Sequence, residues 1–416
     1  MNVKKDKLYQ DIKVKLEKYG QQQLLRHYEE LDEEEQLYLL KQLDAIPFQK
    51  INAMYLNRGK KENAVGITEP MEVMKLEESK KYETLFRETG MEAVRNGQVA
   101  VVLLAGGQAT RLGINGPKGM FDIGITKHLY LFEVIIQKLL MTAQETSTYV
   151  DLYIMTNEKD ENEVREFFDR HDYFGYPEAH MILFHQSMLP KLLFDGKMIL
   201  EDKGCVAQAP SGNGAWIEAL QNQYLLEKMK LDGVQFINLL SIDNPLYNII
   251  DFTFLGALIL REAQMGVQVV EKNSPYEKVG VICKRNGKPA VKEYYEMTKQ
   301  EQEARNDKNE LCYRYGVILN YLFRFDECYK TEVSFLPVHF AEKKMSYITE
   351  DGTASYPDKE NGYVMERLAL DMIQKHERVL AFEVDRESNF APIKNKTGVD
   401  SVDSARKLLV KNGYQL

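Results

Sequence analysis

Two cations, Arg111 and Lys118, sit in a glycine-rich turn within the stretch Gln98 to Gly124, which reads QVAVVLLAGGQATRLGINGPKGMFDIG. Gly106 and Gly107 let backbone N–H groups approach an anion, because no Cβ stands in the way. With Arg111 and Lys118 added, the loop has enough positive charge for a triphosphate, and the pattern points to a nucleotide phosphate site. Asp243, just after the apolar run 234–240, is the second chemical candidate. A carboxylate at the end of a buried strand is costly unless it is paired or bound to a metal ion. The competing reading is a helix N-cap ahead of Pro245.

Two familiar phosphate loops do not fit. Walker A ends in Gly-Lys-Ser/Thr so that the hydroxyl reaches magnesium, whereas Lys118 is followed by Gly119 and Met120. The dinucleotide fingerprint G-x-G-x-x-G is not supplied by residues 106–111, which argues against a dehydrogenase. An ordinary strand-to-helix turn also uses a Gly-Gly pair, but has no need of both cations.

These residues need elements to hold them. Val99 to Leu104 is a continuous apolar run, as in a parallel strand covered on both faces. Strands are expected at 150–155, 181–184, 234–240 and 267–270, alternating with helices at 131–141, 161–168, 215–229 and 252–263. That alternation predicts an α/β fold, a mixed and mainly parallel sheet with helices on both faces. Ligands in such sheets bind at the carboxyl ends of strands, where residues 105–107 and 241–244 fall. Asn286-Gly287 predicts a hairpin, 303–310 a polar loop, 378–385 a strand and 402–410 a final helix. In the first 95 residues Leu24, Leu25, Tyr28 and Leu31, then Leu37, Leu40 and Leu43, recur at helical spacing. They predict a helical N-terminal region (1–95) packed on a catalytic domain (96–390), with a short C-terminal segment (391–416).

Composition narrows the function classes. At 416 residues, 44% apolar and 28% charged, the sequence describes a soluble globular chain of more than one unit. A net charge of −9 argues against a nucleic-acid partner. Cys205, Cys283, Cys312 and Cys328 are scattered, which suits neither structural zinc nor a disulfide framework. The first residues lack the apolar core of a signal peptide. No apolar run approaches the ~20 residues of a membrane span. A cytoplasmic location and no membrane partner are the expectations.

The motifs LLAGGQATRLG and PKGMFDIG resemble the signature of UDP-sugar pyrophosphorylases, and most of all the eukaryotic-type UDP-N-acetylglucosamine pyrophosphorylases. The likeness continues in collinear order through FFDRHDYFGY, FHQSMLP, FDGKMILEDKG, APSGNGAW, SIDNPL, VVEKNSPYEKVGV, KEYYEM, PDKENGYVMER and FAPIKN. It implies a Rossmann-like, GT-A-like nucleotidyltransferase fold and Mg²⁺ as cofactor. The implied reaction is a uridylyl transfer, in which UTP and a sugar 1-phosphate give a UDP-sugar and pyrophosphate. It assigns Arg111, Lys118 and Lys394 to the phosphates, and Asp243 to the magnesium ion. Leu104, Ala105, Gly106, Gly107, Gln186, Pro210 and Gly212 fall to the nucleotide, with Gln186 on the uracil edge. Asn213, Gly280, Glu293, Tyr294 and Lys394 fall to the sugar phosphate. The reaction suits the residue types: a sugar phosphate is already largely dianionic at neutral pH, its second pKa being about 6, and attacks without a general base.

The chain departs from that family at several points. Ala109 stands where glycine is usual. Arg314-Tyr315-Gly316-Val317 replaces Asn-Ala-Gly-Asn, and Met365-Glu366-Arg367-Leu368-Ala369-Leu370 replaces Met-Glu-Lys-Phe-Val-Phe. Val364 replaces a lysine that touches UTP, with Lys359 or Arg367 as substitutes. The family's further C-terminal domain is expected to be missing after Leu416. These changes leave the sugar open, N-acetylglucosamine, glucose, galactose or another, and leave a second reading, a UDP-sugar-binding or regulatory protein without turnover.

Overall fold

The computed structural model describes residues 2–59, 66–331 and 336–416. Two compact units emerge from interleaved segments rather than from the contiguous ranges 1–95, 96–390 and 391–416. One comprises Met1–Asn63, Ser187–Gly214 and Leu336–Leu368; the other comprises Ala64–Gln186, Ala215–Phe335 and Ala369–Leu416.

The second of these is built on a ten-stranded sheet. Its main run is ordered Met181–Gln186, Asp151–Asn157, Val99–Leu104, Phe236–Ser241, Tyr315–Arg324, Met265–Glu271 and Val379–Glu383. Neighbours run parallel except around Tyr315–Arg324, which is antiparallel to the strand on either side. Val99, Val101 and Leu103 join one core cluster with Phe132, Ile135 and Leu255. Ala100 and Val102, which point the other way, are equally buried. Covered on both faces, the strand has no polar side to show, which accounts for its unbroken apolar run. The Asn286-Gly287 turn joins Val281–Arg285 to Lys288–Lys292 with both turn residues at positive φ, as a tight hairpin requires.

One expectation needs correction, and one strand lies outside the expected set. The helix expected at 215–229 is two helices, Trp216–Asn222 and Leu225–Leu231, separated at Tyr224 with φ +57°. The strand Tyr315–Arg324 was not foreseen, because Asn320 interrupts its apolar pattern. Buried, Asn320 is satisfied: its amide donates to Gln268 Oε1 at 2.8 Å and accepts from Asn238 Nδ2 at 2.6 Å.

The N-terminal region divides between the units. Leu76–Lys81 and Glu83–Arg95 belong with the sheet, and Glu83–Arg95 packs against Phe252–Leu260. Their contact is so close that a Cβ on Gly90 would strike the Phe252 carbonyl, and one on Gly256 the Phe86 carbonyl. Asn2–Tyr19, Glu33–Ala45 and Phe48–Leu56 form the other unit with residues 187–214 and 336–368. There Leu24, Tyr28, Leu40 and Leu43 pack with Leu189, Leu192, Met198 and Met365, so these apolar stripes are spent inside their own unit. Leu24 and Tyr28 lie on 3-10 turns, not on an α-helix. Among the described residues no helix is long and apolar enough to cross a membrane.

Gly90→Ala and Gly256→Ala should each lower stability by about 1–3 kcal/mol through overpacking, read as a shift in the urea midpoint. Unchanged midpoints in both would mean that the two helices can separate freely.

Candidate active site

The Val99–Leu104 strand pairs with Asp151–Asn157 and Phe236–Ser241 up to its last residue, so Leu104 lies opposite both Met155 and Ser241. The chain leaves the sheet there: Ala105 N–H donates to the Met155 carbonyl at 2.9 Å, and Ile242 N–H to that of Leu104 at 3.1 Å. Gly106 then meets the buried side chain of Gln186, whose amide nitrogen occupies the space a Cβ would need. Gly107 accepts from Lys118 N–H at 2.9 Å, and Ala109 N–H donates to Gly116 at 3.0 Å, closing the loop. Gly113 and Gly116 have positive φ, but Ala109 has φ −92° and a fully buried methyl. An alanine is therefore compatible with the backbone at this position.

Lys118 is delivered into the protein by this loop and is 8% exposed. Its Nζ donates to Asp243 Oδ1 at 2.6 Å and also to the Ile393 carbonyl. Ile393 N–H in turn donates to the Asp243 carbonyl at 2.8 Å. Three sequence segments thus meet at one ammonium. The Asp243 side chain remains 45% exposed, leaving carboxylate surface for a ligand. No helix starts at this point, so the N-cap reading fails; the next helix, Phe252–Leu260, is capped by Asp251. Arg111 is exposed and makes no hydrogen bond or ion pair among the described residues. Lys394 follows Ile393 directly, but its ammonium rests on Asp400 Oδ2 at 3.1 Å and not on Asp243.

Three of the residues expected at the sugar, Gly280, Glu293 and Tyr294, form a separate group in the same unit. A Cβ on Gly280 would lie 3.3 Å from the Glu293 carboxylate, and the Gly280 carbonyl accepts from Val317 N–H at 2.8 Å. One of the departures from the family pattern is thus bonded to an expected sugar residue. Glu293 caps the short turn Tyr294–Glu296, and Tyr294 stands exposed against Tyr295.

In the other unit, Pro210 pairs with Met188, and Gly212 has φ +92°. Arg367 N–H donates to Ser211 at 2.8 Å, and Gly214 N–H to Arg367 at 2.9 Å. The loop holding Gly212 and Asn213 is therefore stitched to the segment where Arg367 and Leu368 replace family residues. A Cβ on Gly214 would press on the Leu368 backbone. Val364 packs with Ile199, Ala207 and Met345. Leu370, in the sheet unit, is half-buried in the turn Ala369–Lys375.

Two residues given no role from the sequence brace the Asp243 turn. Lys138 donates to the Pro245 carbonyl at 2.7 Å and the Tyr247 carbonyl at 2.5 Å, and burial pushes its ammonium pKa down to about 7. Its signal was a lysine in the apolar run of helix Leu131–Thr146. Asn244 is the other, and nothing in the sequence distinguished it from a turn residue.

Residues 46–411 match the family described as UTP--glucose-1-phosphate uridylyltransferase. The chain belongs to this family. It is 33% identical to the human UDP-N-acetylhexosamine pyrophosphorylase-like protein 1, over 98% of this chain and 85% of that protein. It is 30% identical to the UDP-N-acetylglucosamine pyrophosphorylase of Saccharomyces cerevisiae, over 95% of this chain and 88% of that one. Among solved structures, the uridine diphosphate N-acetylglucosamine pyrophosphorylase of Trypanosoma brucei, in complex with an inhibitor, superposes with a TM-score of 0.81 at 26% identity. That match covers 95% of this chain and 83% of the other. The uridylyltransferase family model therefore accounts for most of the sequence.

Restoring glycine in Ala109→Gly should cost about 0.5–1 kcal/mol, because a buried methyl is lost and the unfolded chain gains freedom. Thermal unfolding checks it; a stabilised variant would show that the alanine is strained.

Proposed function

We propose that the protein is a uridylyltransferase that joins UTP and a sugar 1-phosphate into a UDP-sugar and pyrophosphate. An oxygen of the sugar phosphate bonds to the α-phosphorus of UTP while the bond from that phosphorus to the bridging oxygen breaks, and pyrophosphate departs with the electron pair. The observation that carries the reading is Lys118, a buried ammonium anchored to Asp243 and the Ile393 carbonyl, beside a glycine turn at the ends of two parallel strands. Such a reaction asks for alignment and charge neutralisation, not for a base or a covalent nucleophile. In this reading Lys118 stabilises the departing phosphates, Arg111 reaches them from the exposed side of the loop, and Lys394 exchanges Asp400 for the sugar phosphate. Gln186, fixed against Gly106, reads the uracil edge. Gly280, Glu293 and Tyr294 take the sugar hydroxyls, the carboxylate as an acceptor.

Mg²⁺ fits as a shared ligand. Among the described residues no group of three or more His, Cys, Asp or Glu side chains could hold a metal ion by itself. Asp243, with one oxygen engaged by Lys118 and much of its carboxylate exposed, suits an ion completed by phosphate oxygens and water, as Mg²⁺ commonly is. Such an ion would neutralise charge on the triphosphate. A cytoplasmic location belongs to the same proposal, since the four cysteines stand as thiols.

Lys118→Ala should lower turnover at least about a hundredfold, as removal of an electrostatic transition-state contact does, and Asp243→Asn should shift or abolish the magnesium titration. Pyrophosphate release measures both, and near-normal values would take these residues out of the mechanism. A panel of N-acetylglucosamine, N-acetylgalactosamine, glucose and galactose 1-phosphates tests the reaction itself; no release with any of them would remove the enzyme reading. Because Val317 offers no side-chain hydrogen bond, rates for acetamido and plain hexoses should differ by less than about 10²-fold.

A further inference from the structure

The turn after the Phe236–Ser241 strand holds Asn244, which is 1% exposed and bonded at both ends of its amide. Nδ2 donates to the Asn389 carbonyl at 2.7 Å. Oδ1 accepts from Leu246 N–H at 3.1 Å and from Ala391 N–H at 2.8 Å. Two of these three bonds reach the segment 389–391, far away in sequence, which runs straight into Ile393 and Lys394. Beside them, Ile393 N–H meets the Asp243 carbonyl at 2.8 Å. Lys394 itself is tied by its backbone and its ammonium to Asp400, not to the Asp243 turn. Its place relative to Asp243 is therefore set upstream, by the bonds on residues 389, 391 and 393.

We propose that Asn244 is a positioning residue, which fixes the register between the Asp243 turn and the segment carrying Lys394 and acts on turnover through Lys394. It rests on the role given to Lys394 above. Asn244 touches no reacting atom. Its amide is suited to the task because it both donates and accepts, and so matches one carbonyl and one N–H of the same segment. Without it, that carbonyl and N–H lose this partner, and the segment is held to the Asp243 turn only through Ile393, at its N–H and its carbonyl. A misplacement of about 1 Å costs in-line chemistry on the order of a hundredfold.

The test is a double-mutant cycle on the full chain with Asn244→Ala, Lys394→Ala and both together. It is read as pyrophosphate release with the best sugar 1-phosphate of the panel, with UTP binding and thermal unfolding measured alongside. Asn244→Ala should lower kcat about 10- to 100-fold and leave UTP affinity within about threefold. In the Lys394→Ala background the same substitution should cost less than about threefold, since residues acting as one unit are not additive. If Asn244→Ala does not fold, Asn244→Ser, which is neutral and too short to span both Asn389 and Ala391, should show the same non-additivity without burying a charge. Additive losses, a fall in UTP affinity that matches the fall in rate, or a Lys394→Ala variant with normal rates would each overturn the assignment. A wild-type chain inactive with every sugar phosphate would instead overturn the uridylyl-transfer reading.

Discussion

A buried ammonium needs partners, and the sheet unit is arranged to give Lys118 two of them. Taking a lysine out of water is costly, and the loss is offset only where acceptors stand within hydrogen-bond reach. Asp243 Oδ1 and the Ile393 carbonyl supply that, from a strand end and from a segment near the carboxyl terminus. The glycine loop delivers the side chain, its closure fixed by the bonds between Gly107 and Lys118 and between Ala109 and Gly116. With three donors and two named acceptors, the ammonium retains capacity for an anion. The same bonds that stabilise the charge also fix where the ammonium sits.

The turn that bears Asp243 is held from two directions. Lys138 grips the Pro245 and Tyr247 carbonyls from the helix Leu131–Thr146, and Asn244 grips residues 389 and 391. Beneath the turn, Asn238, Asn320 and Gln268 form an amide chain that ends on Asp251, whose carboxyl is raised by burial. These polar contacts tie the antiparallel strand to its neighbours where apolar packing would tolerate other registers. Close helix packing at Gly90 and Gly256 holds the same unit together from outside the sheet.

The departures from the family pattern are absorbed by the structure in different ways. Val364 contributes its side chain to an apolar cluster, and Ala109 fills a core position without backbone strain. Tyr315 turns its hydroxyl to Glu383 at 3.3 Å, and burial beside that carboxylate pushes its pKa up to about 12. Arg314 pairs with Glu310 at 2.8 Å. Two residues of the divergent stretch Arg314-Tyr315-Gly316-Val317 thus serve local networks, and Val317 keeps its backbone bond to Gly280 while offering no polar side chain.

The parallel strands, the glycine loop and the candidates Lys118 and Asp243 were legible in the sequence, because local rules govern them: unbroken apolar runs mark covered strands, and glycine marks close backbone approach. The Asn286-Gly287 hairpin was legible for the same reason. The strand Tyr315–Arg324 was not, since Asn320 is polar until its partners across the sheet are known. Nor was the division of the first 95 residues, because helical spacing shows that a stripe is buried and not what buries it. That Lys118 faces Asp243 and Ile393, and that Asn244 joins its turn to residues 389 and 391, are long-range facts. Only the tertiary structure decided them, because hydrogen bonds between residues more than a hundred positions apart leave no periodicity in the chain.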